Sequence, residues 1–86
     1  MQSVKSAADI VAWCTHYLSI MLDVPAKRVD PDTKFSRLGV DSAMSTFFVV
    51  GLEELLDMEI TPDVVFEYQT INELARYLAG RQRPSS

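Results

Sequence analysis

An all-α fold is predicted by three observations. Apolar residues recur at three- and four-residue steps, capping residues precede those runs, and no segment alternates in the way a half-buried strand would. Together they define a four-helix bundle, with three longer helices, one short helix and a long loop between the first two. The chain has 86 residues, 48% of them hydrophobic and spread along its length, enough for one modest core. It is expected to form one domain over residues 1–86, with its core in about 6–80 and a flexible tail at 81–86.

Ser6 opens the first helix as N-cap, and Asp9 in the first turn complements the positive end of the helix dipole. Ile10, Cys14, Tyr17, Leu18 and Met21 then form one stripe, widened by Trp13 and Ile20, until Pro25 stops the helix. Residues 24–40 lack a period and carry Pro25, Pro31 and Gly39. Val29, Phe35 and Leu38 are spaced to pin this loop to the core, and Asp32-Thr33 opens a short turn.

The second helix begins at Asp41 or Ser42, either able to cap it. Its inward stripe is Phe48, Val49, Leu52, Leu55 and Leu56. Gly51 costs about 1 kcal/mol relative to alanine inside a helix, which a close crossing by another helix would explain. Thr61-Pro62 reads as the start of the short helix, and Thr70 with Glu73 as the capping box of the last, Ile71 to Leu78. Gly80 is placed to end it.

Charge is unevenly distributed. Between Arg37 and Arg76 there is no Lys or Arg, yet Asp41, Glu53, Glu54, Asp57, Glu59, Asp63, Glu67 and Glu73 fall there. With a net charge of −4, the chain is a poor match for nucleic acid. No apolar run reaches the ~18–20 residues that span a bilayer, and the start lacks a secretory signal. The lone Cys14 fits a buried side chain better than a reactive thiol, and the cytoplasm is the expected compartment. Met1 and the short tail lean towards a free-standing protein.

The segment Leu38-Gly39-Val40-Asp41-Ser42 places a serine where a loop becomes a helix. As residues alone, Ser42 or Asp41 could simply cap the helix, with Gly39 supplying a turn of positive φ. A serine hydrolase would need a Gly-x-Ser-x-Gly elbow and a base, and the one histidine, His16, sits on the first helix. One His and one Cys make no metal site, and Asp30-Pro31-Asp32 lacks the glycine and terminal Glu of a calcium loop.

Three stretches, in this order and spacing, resemble the acyl carrier proteins, in particular the carrier domains of polyketide synthases. They are Leu22 to Phe35, with Asp-Val-Pro-Ala-Lys-Arg-Val-Asp-Pro-Asp-Thr-Lys between; Leu38-Gly-Val-Asp-Ser42; and Val65-Phe-Glu-Tyr-Gln-Thr-Ile-Asn-Glu-Leu-Ala-Arg-Tyr-Leu78. The resemblance spans about residues 6–80 and implies a bundle of the acyl-carrier type. It implies that Ser42 carries 4′-phosphopantetheine, donated by coenzyme A through a magnesium-dependent phosphopantetheinyl transferase. Acyl groups would ride on that arm as thioesters, presented to a ketosynthase, an acyltransferase or other acyl-processing enzymes.

Asp41 belongs to the same motif and is expected to orient the transferase. Glu53, Glu54 and Asp57 are expected to meet basic patches on partners, or else to form a solvated face. Ala43 stands where carriers usually have leucine, and Met44 and Phe47 where polar residues are common. These three either face a partner beside the arm or belong to the core. Gln69 replaces a proline common in the family. The expected protein is a monomeric carrier, not an enzyme, with no metal, nucleic acid or membrane. A peptidyl carrier and an unmodified helical interaction module are the alternatives.

Overall fold

The computed structural model describes residues 5–81, and these are helical wherever they are regular. Helix α1 (Ala7–Leu22) starts on Ser6, whose hydroxyl accepts the N–H of Asp9, while the Asp9 carboxylate accepts the N–H of Ser6. Two otherwise unpaired donors are thus satisfied reciprocally. The helix ends ahead of the expected proline. Asp23 turns left-handed at φ 55, and Val24 donates back to the carbonyl of Ser19 at 3.0 Å. Pro25 only prevents resumption.

The loop from Val24 to Val40 is more structured than its sequence implies. A 3-10 turn (Ala26–Arg28) is followed by a one-turn helix α2 (Phe35–Leu38). Both are too short to show a period. Val29 and Phe35 are buried and Leu38 packs against the core, as their spacing predicts. Asp32-Thr33 do lie in a turn, where Thr33 donates to the carbonyl of Asp30 at 3.0 Å. The end of the loop is bonded to the start of the last helix. Phe35 N–H donates to the Gln69 carbonyl at 2.8 Å, Asn72 N–H to that of Pro31 at 3.0 Å, and the Asn72 amide to the Asp32 carboxylate at 2.6 Å. An isolated bridge, Lys34 with Thr70, is the sole β-pairing among the described residues.

Helix α3 (Ser42–Leu56) runs antiparallel to α1, since Trp13 lies against Gly51 while Tyr17 reaches the carbonyl of Phe47. Helix α4 (Val64–Glu67) starts later than Thr61-Pro62 suggests. Those two residues contribute carbonyls to Val64 and Val65 instead of a hydroxyl cap. Helix α5 (Ile71–Arg81) packs mainly on α1 and passes straight through Gly80. Gly39 is the one glycine with positive φ among the described residues, so Gly80 is not a left-handed stop. Arg81 closes α5, and the rest of the expected tail lies outside the described residues.

The expected all-α bundle with three longer helices is what forms, and α2 adds a single turn to the one short helix the sequence marks. The core gathers Ile10, Cys14 and Leu18 of α1, Phe48, Val49 and Leu52 of α3, and Ile71, Leu74 and Leu78 of α5. Burying a side chain of this size contributes about 1.5–3 kcal/mol. Ile20 departs from its expected place in the stripe, being 66% exposed.

Candidate functional site

Ser42 is the first residue of α3 and is exposed. The choice between two caps resolves in favour of Asp41, whose carboxylate accepts the N–H of Met44 at 2.9 Å. Capping by Asp41 releases Ser42 from that task. The following hydroxyls are turned inward on the helix, Ser45 donating to the Asp41 carbonyl at 2.9 Å and Thr46 to that of Ser42 at 3.1 Å. The Ser42 hydroxyl is not so engaged. Gly39, at φ 100, ends α2 and turns the chain into this helix start.

Beside Ser42 opens a cleft of about 420 Å³. Lys34, Phe35 and Ser36 line one side, and Val65, Phe66 and Gln69 the other. Nothing in the sequence singles out Lys34, Phe66 or Gln69 as site residues. Phe66 is 66% exposed, an aromatic side chain left at the rim of an apolar cleft. Its neighbours Val64 and Val65 are buried, and only the folded chain shows that Phe66 lines the same opening as Phe35 and Ser36.

The other candidate residues are brought together only in part. Ala43 is exposed and Met44 half-buried, and neither lines the cleft apart from backbone proximity to Ser42. Phe47 is 61% exposed, so it is no core residue, and it faces a second groove between α1 and α3. Glu54 lines that groove too. Glu53 is half-buried and turned the other way, its carboxylate accepting the N–H of Ile60 at 3.0 Å. Asp57 is the left-handed C-cap of α3 at φ 51. The three acids therefore do not share one role.

Elsewhere the chemistry is sparse. Burial pushes the Cys14 thiol up to about 12, because the thiolate would lie in an apolar core. His16 is exposed on α1. No cluster of metal-ligating side chains occurs among the described residues, and no described helix is long and apolar enough to cross a membrane.

Ser42 is thus an exposed hydroxyl at a helix start beside a cleft, with the exposed His16 on a different helix. The fold is the one shared with solved carrier proteins. The family model described as the phosphopantetheine attachment site matches residues 17–78, so the chain belongs to that family of carrier proteins. It is 36% identical over 78 residues to a phenolphthiocerol/phthiocerol polyketide synthase chain of Mycobacterium tuberculosis, covering 91% of this chain and 4% of that one. Over 62 residues it is also 36% identical to the polyketide synthase PksN of Bacillus subtilis, covering 72% of this chain and 1% of that one.

Among solved structures, a free-standing peptidyl carrier protein from Acinetobacter baumannii superposes with a TM-score of 0.83 at 32% identity, covering 87% of this chain and 94% of that one. An acyl carrier protein from Anabaena sp. PCC 7120, described as having a variant phosphopantetheinylation-site sequence, gives 0.81 at 26%, covering 93% and 94%. The protein is thus a carrier domain homologous to those of polyketide synthases, and its prosthetic group is 4′-phosphopantetheine.

Proposed function

We propose that Ser42 is the attachment residue and that the chain carries acyl intermediates of polyketide-type assembly as thioesters on the pantetheine thiol. The observation that carries this reading is the exposed Ser42 hydroxyl at the start of α3, next to the cleft and inside the matched span. The surroundings fit the group. The first N–H groups of a helix favour a phosphodiester, and Lys34 adds a cation to the cleft wall. The arm supplies a reactive thiol on a long tether, which the buried Cys14 cannot do. Asp41 holds the helix start and stands ready to orient a magnesium-dependent phosphopantetheinyl transferase.

The partners in this reading are that transferase and acyl-processing enzymes such as a ketosynthase or acyltransferase. Ala43, Phe47 and Glu54 would meet them on the exposed face of α3, with Met44, Glu53 and Asp57 supporting its two ends. The carrier works as a cytoplasmic monomer and as a single domain, and is not itself an enzyme. A peptidyl carrier role is the second reading, favoured by the likeness to the Acinetobacter baumannii protein. The acyl or aminoacyl species released from purified protein separates the two.

The direct test is intact mass after incubation with coenzyme A and a broad-specificity transferase. The wild type is expected to gain one phosphopantetheine, and Ser42→Ala none. An unmodified wild type would leave an interaction module as the better description.

A further inference from the structure

Helix α1 lies at the surface, yet its solvent side carries no charge, where a surface helix ordinarily sets charged residues opposite its buried stripe. Between Asp9 and Asp23 the exposed residues are Ala12, His16 and Ile20, and that stretch holds no Lys, Arg, Asp or Glu. Helix α5 shows the ordinary pattern, presenting Glu73, Arg76 and Arg81. The hydroxyls of α1 are bonded back to its own carbonyls, Thr15 to Val11 at 2.8 Å and Ser19 to His16 at 2.7 Å. Ala8, Ala12, His16 and Ile20 follow at four-residue steps and are all exposed, so they form one row along the helix. Ile20 is the large apolar member, 66% exposed.

The row borders a groove of about 550 Å³, lined by Ala8, Val11 and Ala12 together with Asp32, Asn72 and Arg76. It shares no lining residue with the cleft beside Ser42. The nearby carboxylates are engaged, Asp32 by the Asn72 amide at 2.6 Å and Asp9 by the N–H of Ser6 at 3.2 Å. Arg76 is exposed, and no hydrogen bond or ion pair engages it among the described residues.

An uncharged row beside an unpaired guanidinium fits an amphipathic helix with a carboxylate set in its apolar stripe. Ala8 and Ala12 let a second helix approach closely, and aliphatic side chains of that helix cover Val11 and Ile20. The carboxylate accepts the N–H groups of Arg76. We infer that this side of α1 receives such a helix from a partner protein. Residues 1–4 and 82–86 of the chain itself contain no Asp or Glu to meet Arg76. Helix α1 has 16 residues and is about 24 Å long, and one face of that length falls short of the roughly 800 Å² per partner of a standard interface. The contact is therefore brief, which suits a carrier that must leave each partner, and a second copy of this chain would not be held as a lasting dimer. Nothing in this contact involves Ser42, so it stands whether or not that residue is modified.

The test labels the whole chain with nitrogen-15 and titrates it with a lactam-stapled amphipathic peptide of about 15 residues. The peptide carries leucines along one face and a single glutamate within that face. The amide signals of Ala8, Ala12, Ile20 and Arg76 are expected to shift saturably, with a dissociation constant on the order of 1 mM, while that of Ser42 does not move. Changing the peptide glutamate to glutamine should weaken binding about fivefold, and Arg76→Gln should do the same with helicity unchanged. Arg76→Glu should reverse the preference, favouring the same peptide with lysine in place of glutamate.

No shift at about 10 mM peptide, equal binding of the glutamine peptide, or shifts centred on α3 would overturn the proposal. So would the same shifts appearing with protein concentration alone, accompanied by a dimer in sedimentation. Ser42→Ala, which cannot take the arm at that position, is expected to bind the peptide as the wild type does, and loss of binding there would count equally against this contact.

Discussion

At the scale of single residues, neighbouring positions with similar chemistry are assigned opposite tasks by where their side chains point. Asp41 caps, Ser42 is presented and Ser45 is buried and bonded back, all within the first turn or so of α3. Cys14 shows the same control by environment. Its thiol is held up near 12 from an ordinary 9.0 by burial. The folded state keeps the proton that the unfolded state loses, so stability is unaffected below about 9 and falls as pH rises from there towards 12.

The slope is bounded at about 1.4 kcal/mol per pH unit. Chemical denaturation of the wild type and Cys14→Ala should show that the alanine variant lacks this component of alkaline destabilisation. Equal slopes would mean that the thiol is not buried in solution. In the native protein at neutral pH, the same thiol should resist iodoacetamide until the fold is opened.

Secondary-structure elements divide into those the sequence announces and those it does not. Helices α1, α3 and α5 are legible because each carries a full apolar stripe and a capping residue, and Ser6, Asp41 and Thr70 all act as caps. Even there, the Thr70 box closes unexpectedly, since the Glu73 carboxylate accepts the N–H of Gln69. Helix α2 and the 3-10 turn escape notice because one turn shows no period, and their placement follows from Phe35 and Val29 entering a core made by other elements.

Ser42 is legible as a candidate from its motif, whereas Lys34, Phe66 and Gln69 are not, because the cleft exists only once residues 34–45 and 65–69 are brought together. Gly51 inside a helical stripe hints at a close crossing, and the crossing partner is Trp13. Gly51→Ala should gain about 1 kcal/mol of helix propensity, against about 1–3 kcal/mol of overpacking. The ring is held by stacking on Tyr17 at 4.7 Å and Phe48 at 6.0 Å, so overpacking is expected to win. A lower thermal midpoint with altered Trp13 fluorescence is the expected result. A raised midpoint would show that the ring swings aside at little cost.

Over the whole molecule, negative charge and exposed apolar side chains are unevenly distributed. Eight acids and no Lys or Arg fall between Arg37 and Arg76 in the sequence, and Phe47, Val50 and Phe66 in the same span stand exposed. Reversing this field should slow encounter without disturbing the fold. Glu54→Lys combined with Glu59→Lys is the suitable pair, because both are exposed. Glu53 is unsuitable, since it holds the N–H of Ile60. Transferase loading is expected to fall about tenfold at low salt and to converge with the wild type at high salt. Unchanged rates at low salt, with unchanged helicity, would show that this field does not guide the transferase.

Of the three hydrogen bonds that lace the long loop to the start of α5, the one from Phe35 N–H to the Gln69 carbonyl joins two lining residues of the cleft beside Ser42. One wall includes Phe35 and the other Gln69, and their backbones are bonded at 2.8 Å. These segments are distant in the chain but mechanically one corner. Whatever a tethered cargo does to one face, it must do by shifting the pair as a unit or by slipping along Phe66, the side chain left outside that lacing.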